Sequence, residues 1–119
     1  MKIGIDARFF GPEERGLGRY TQELILHLQD IDHENSYVCF LPPRYYESFT
    51  FRNPHFSKVL ADFRWYTLAE QRKMPKLVRA SGVEAMLYPH YNVPLLNPVP
   101  YIVTIHDLII HHFPTRRAT

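Results

Sequence analysis

Short apolar runs rich in β-forming residues alternate along this chain with stretches whose apolar residues recur at helical spacing, and that alternation restricts the fold more than any other feature. Residues 2–7 hold Ile3 and Ile5 and turn polar at Asp6 and Arg8, the pattern of a short strand. Leu17, Tyr20, Leu24, Ile25 and Leu28 then mark one face of a helix over residues 17–29. A polar turn leads into residues 36–41, a buried strand stopped by Pro42 and Pro43. Residues 57–61 and 83–88 read as further strands, and 101–105, almost wholly apolar, is expected to be central in the sheet. Between them Leu68, Ala69, Leu77 and Val78 point to helix. Pro75 would cost about 3 kcal/mol in an unbroken helix interior, so a kink or two short helices are expected there, with Gly82 just past the end. Strand following helix in this way predicts an α/β, Rossmann-like, mostly parallel sheet with helices on both faces.

Size and charge narrow the function. A chain of 119 residues with 45% hydrophobic content builds the core of one domain and not of two. Its 14 Lys+Arg and 12 Asp+Glu are too evenly balanced for the electrostatic footprint of a nucleic-acid binder. No apolar window reaches the roughly 18 residues of a membrane span, and Met1 and Lys2 lead directly into a strand without a signal-peptide pattern, so a cytoplasmic location is expected. Cys39 lies in the apolar run Tyr37, Val38, Cys39, Phe40, Leu41 and is expected to be a reduced core thiol. The chain stops shortly after an apolar strand, which reads as a fragment.

Three groups of residues stand where a parallel sheet places its ligands, at strand carboxyl ends or at the helix start that follows. Gly16, Leu17 and Gly18 open the first helix, where unpaired backbone N–H groups and the helix dipole favour an anion such as a diphosphate; a flexible loop is the plainer alternative. The dinucleotide fingerprint does not fit, because Thr21 stands three residues after Gly18 and the second strand ends in prolines without an acid. His106 and Asp107 follow the last strand, where a histidine reaches a substrate hydroxyl or phosphate and the carboxylate fixes its ring or binds a hydroxyl itself. His90, Tyr91 and Asn92 follow the fourth strand and suit a sugar, whose faces stack on rings and whose hydroxyls need donors and acceptors. A metal site built from His106, Asp107, His111 and His112 matches no familiar spacing, and none is expected.

Taken together, Met1-Lys2-Ile3-Gly4-Ile5-Asp6-Ala7-Arg8, Gly16-Leu17-Gly18-Arg19-Tyr20, Tyr88-Pro89 with Asn92-Val93-Pro94, and Val103-Thr104-Ile105-His106-Asp107-Leu108 resemble, in order, the N-terminal domain of GT-B glycosyltransferases of family 4, also called group 1. The resemblance covers nearly the whole chain. It implies a partial N-terminal, acceptor-side domain over residues 1–119, with the donor held mainly by a C-terminal domain absent from this chain. By the same resemblance Gly16, Leu17 and Gly18 approach the donor phosphates, His106 reaches the donor sugar, and Asp107, His90, Tyr91 and Asn92 contact substrate.

The implied reaction is retaining transfer of a sugar, mannose in the relatives with an Ile-His-Asp-Leu strand end, from a nucleotide-sugar to a glycan or lipid-linked acceptor without a metal. The family's Glu-x7-Glu signature is missing, since no two glutamates here stand eight positions apart, and the fragment alone is expected to be inactive. A non-catalytic module that binds a sugar or nucleotide is the alternative. Arg64, Arg72, Lys73, Lys76 and Arg79 also raise peripheral membrane contact, although their spacing forms no single clean face and a solvated helix surface is the plainer reading.

Overall fold

A computed structural model of the protein describes residues 1–11, 15–63, 67–90 and 93–104. Five strands form one sheet: β1 (Lys2–Asp6), β2 (Ser36–Leu41), β3 (Phe56–Leu60), β4 (Ala85–Tyr88) and β5 (Tyr101–Val103). Their order is β3-β2-β1-β4-β5, and every pairing is parallel. β1 is therefore the central strand, with Ile5 opposite both Cys39 and Leu87. Helix α1 (Arg15–Ile31) connects β1 to β2, the short α2 (Pro43–Tyr46) follows β2, and α3 (Leu68–Ser81) connects β3 to β4.

The two-residue period of β2 divides the core into two layers. Tyr37, Cys39 and Leu41 point to one face, where they pack with Ile5, Phe10 and Phe56 and with Ile25 of α1. Val38 and Phe40 point to the other, against Met86 and Tyr88 and against Met74 and Val78 of α3. The α/β sheet with a helix on each face is thus as the alternation predicts. Cys39 lies fully buried in the first layer, where burial raises its thiol pKa.

α3 is one helix rather than two short ones, with Pro75 inside it and Gly82 just past its end as expected. The ends are well fixed: the Thr67 side chain accepts from the Glu70 N–H, and Gly82 adopts a left-handed conformation (φ 74°) with its N–H on the Arg79 carbonyl. Met74, Pro75 and Val78 are all buried, and burying that apolar stripe offsets the missing backbone donor at Pro75. β5 is a second correction. It lies at an edge of the described sheet, with Tyr101 and Ile102 exposed, because apolar content alone cannot tell a strand with two neighbours from one with a single neighbour.

Among the described residues, no helix is long and apolar enough to cross a membrane.

Candidate functional site

The strand order reverses between β1 and β4. From β1 the chain moves outward through β2 and β3, then returns to the other side of β1 as β4. The loops leaving the carboxyl ends of two such strands diverge to opposite faces and open a crevice between them, the usual ligand position in an open parallel sheet. Here those ends carry Asp6 and Arg8 after β1, and Tyr88, Pro89 and His90 after β4.

These residues are buried and bound together by charge. The Arg8 guanidinium donates from Nε to Asp6 Oδ1 (2.8 Å) and from Nη2 to Asp6 Oδ2 (2.6 Å), a bidentate fork. Its Nη1 donates to Glu70 Oε2 from α3. The side chains of Arg8, Asp6 and Glu70 are at most 1% exposed. His90 is 3% exposed, with Nε2 3.2 Å from Asp6 Oδ2 and its ring edge-on to Phe9 at 4.5 Å between centroids. Arg8 also lies over the Phe63 ring, 5.3 Å from its centroid.

Burial alone would raise the Asp6 carboxyl, but Arg8 and then His90 outweigh it and hold Asp6 well below the usual carboxylate range. Burial likewise disfavours charge on Arg8, and Asp6 and Glu70 reverse that effect and raise its pKa. The carboxylate and the guanidinium therefore stay ionised in a dry environment. Tyr88 beneath them is fully buried, burial raises its phenol pKa, and its hydroxyl accepts from Asn97 Nδ2 at 3.0 Å.

The glycine turn also stands at the carboxyl edge, though not as a loop. α1 begins at Arg15, so Gly16, Leu17 and Gly18 lie within its first turn, where backbone N–H groups lack partners inside the helix. Gly16 is exposed, and a Cβ built on it would meet nothing within 4 Å, whereas Leu17 is half-buried and Gly18 buried. The segment is tied back to β1: Phe10 N–H donates to the Ala7 carbonyl (3.0 Å) and Gly11 N–H to the Gly18 carbonyl (3.3 Å). Gly11 holds φ 112°, and a Cβ there would strike the Tyr45 ring at 2.5 Å, so only glycine fits.

Of the residues predicted to form the site, His90 and Gly16, Leu17 and Gly18 fall on this edge. Tyr91, Asn92, His106 and Asp107 lie outside the described residues, as do His111 and His112. Thr104 N–H still pairs with the Tyr88 carbonyl at 2.9 Å, which aligns the end of β5 with that of β4. No group of three or more metal-ligating side chains occurs among the described residues. Asp6, Arg8 and Glu70 were not among the predicted site residues. Two signals pointed to them: opposite charges two apart at the end of a buried strand, and Thr67-Leu68-Ala69-Glu70, a capping-box pattern whose glutamate here turns inward to Arg8.

Arg8 spends its fork on Asp6 and its remaining terminal nitrogen on Glu70, which makes it part of the scaffold rather than a phosphate clamp. An anion at this edge would instead meet the first turn of α1. Comparison with protein-family models, with curated proteins and with solved structures returned no match.

Proposed function

We propose that this chain is the acceptor-side half of a retaining GT-B glycosyltransferase of family 4, moving a hexose from a nucleotide-sugar to a glycan or lipid-linked acceptor. The observation that carries the reading is the buried Asp6, Arg8, Glu70 and His90 cluster at the β1/β4 reversal, on the same sheet edge as the first turn of α1. A buried charge cluster in a ligand crevice is costly for a fold that needs only a core, and such groups concentrate at functional sites.

In this reading the first turn of α1 offers N–H groups and a positive dipole end to the departing diphosphate, which stabilises charge as it develops. His90, buried against Asp6 and Phe9, positions the carboxyl edge on which the sugar or acceptor rests. The family resemblance gives His106 contact with the donor sugar. Mannose is the donor sugar that the Ile105-His106-Asp107-Leu108 resemblance favours.

Transfer from labelled nucleotide-sugars, assayed on the complete gene product, tests the proposal. His106→Ala is expected to lower kcat/KM on the order of a hundredfold or more with the fold intact. Wild-type rates in that variant would remove His106 from the reaction. Nucleotide-sugar binding without transfer would favour the non-catalytic module instead.

A further inference from the structure

The second core layer is not closed where the end of β3 meets α3. Leu60, the last residue of β3, remains 41% exposed, and Phe63 and Leu77 are half-buried neighbours of that layer. These three apolar side chains line a cavity of about 320 Å³, at the small end of the range that holds organic ligands. Its remaining lining residues are Asp62, Lys73 and Lys76, all exposed. No member of the buried Asp6, Arg8, Glu70 and His90 cluster lines it, so the cavity is separate from the crevice described above.

The lining defines the class of occupant. Leu60, Phe63 and Leu77 offer hydrocarbon and an aromatic ring but no side-chain hydrogen bond, so the body of the ligand is apolar. The two lysines outnumber Asp62, and α3 adds no exposed acid, because its single acidic residue, Glu70, is buried against Arg8. The head of the ligand is therefore anionic, a carboxylate that accepts from one or both ammonium groups. A folded protein is the poorer occupant, since a stable interface needs roughly 1,000 Å² or more and this cavity is a single small hollow.

Phe63 connects the cavity to the carboxyl edge. The Arg8 guanidinium lies over that ring, 5.3 Å from its centroid, and Arg8 also donates to Glu70, on the same helix as Lys73, Lys76 and Leu77. We propose that the cavity is a binding site for a small apolar carboxylate, and that its occupancy is felt at Arg8 through the Phe63 ring. The inference goes beyond glycosyl transfer and stands or falls without it.

Titration of the complete gene product with 2-naphthoate tests it, read by calorimetry and by the Arg8 Nε–H resonance of ¹⁵N-labelled protein. Saturable binding is expected with a Kd on the order of 100 µM, together with movement of the Arg8 signal. 2-Naphthylmethanol, which has the same body without the charge, should bind about fivefold more weakly. Lys73→Gln/Lys76→Gln, at exposed positions, should weaken naphthoate by about the same factor and erase its advantage over the alcohol. Phe63→Leu keeps the wall apolar and should leave the Arg8 signal unmoved by ligand. Circular dichroism checks the fold of each variant, and if Phe63→Leu does not fold the lysine variant decides. No saturable binding, equal binding of the alcohol, or unchanged naphthoate binding in the lysine variant would overturn the site. Tighter binding of 2-naphthylmethylamine would overturn it in favour of a cation held by Asp62, and an Arg8 signal unmoved at saturation would overturn the link through Phe63.

Discussion

The two edges of the sheet solve the same problem, how to turn the chain between elements, by opposite means. At the amino edge, Asp32 accepts from Glu34 N–H, Asn35 N–H, Asn35 Nδ2 and the Tyr37 hydroxyl, while Asn53 Nδ2 donates to the Gln29 and Asp32 carbonyls. These bonds tie the α1–β2 turn together and join it to the residues leading into β3; one is exposed, four are part-buried and one is buried. The Tyr37 phenol is pushed up to about 12 by burial and by its bond to Asp32. At the carboxyl edge, Arg8 reaches Glu70, 62 residues away, and every charged member is buried. The amino edge closes its turns with hydrogen bonds and no buried ion pair among the described residues, even where partners are far apart in sequence, as in Lys2 N–H on Glu84 Oε2. The buried charges opposite are more than turn closure requires, which is why the proposed function is placed at that edge.

The contrast breaks most visibly at Arg8. Arg8→Met leaves Asp6 and Glu70 as buried carboxylates without their cation, and should destabilise the chain by about 3–5 kcal/mol in urea unfolding. Replacing all three, as Asp6→Leu/Arg8→Met/Glu70→Leu, should recover most of that loss, since a packed apolar substitute removes the desolvation cost as well. A triple variant as unstable as Arg8→Met would mean that the cluster holds the fold together.

At the amino edge the effects should be smaller. Asn53 is buried, and Asn53→Ala removes two side-chain bonds to carbonyls and the acceptor for His55 N–H, for a loss of about 1–3 kcal/mol by the same measurement. Tyr37→Phe removes one bond to a carboxylate that keeps three other donors, and should cost about 0.5–1.5 kcal/mol.

Acid sharpens the comparison further. Asp6 is held below its unfolded pKa chiefly by Arg8, against burial, and Asp32 chiefly by its hydrogen bond from Tyr37. A carboxylate depressed on folding contributes stability above its unfolded pKa of about 3.9 and loses it as the pH falls toward the folded value. Unfolding free energy should therefore decline below about pH 4, and Asp32→Asn should flatten part of that decline while leaving the part due to Asp6. An identical pH slope in Asp32→Asn would remove Asp32 from the account.

Much of this was legible along the chain, and the exceptions have physical causes. β2 matches its expected bounds because a buried strand between a polar turn and two prolines has no competing reading. α1 extends two residues beyond its expected range at each end, since glycines at a helix start look like loop. α2 went unseen because its four residues contain no helical period. The Arg8–Glu70 pair was illegible for a different reason: residues 62 apart meet only once the sheet and α3 are assembled. His90 was singled out by its place after a strand, but its partner Asp6 depended on β1 and β4 being neighbours.

Titration of the ¹⁵N-labelled complete gene product with a nucleoside diphosphate-sugar, followed by amide chemical shifts, tests most directly whether the carboxyl edge is the functional one. The account predicts shifts at Gly16, Leu17 and Gly18 and around Arg8 and His90, with Asn35 and Asn53 at the amino edge unmoved. Shifts confined to Asn35 and Asn53, or none at saturating ligand, would contradict it.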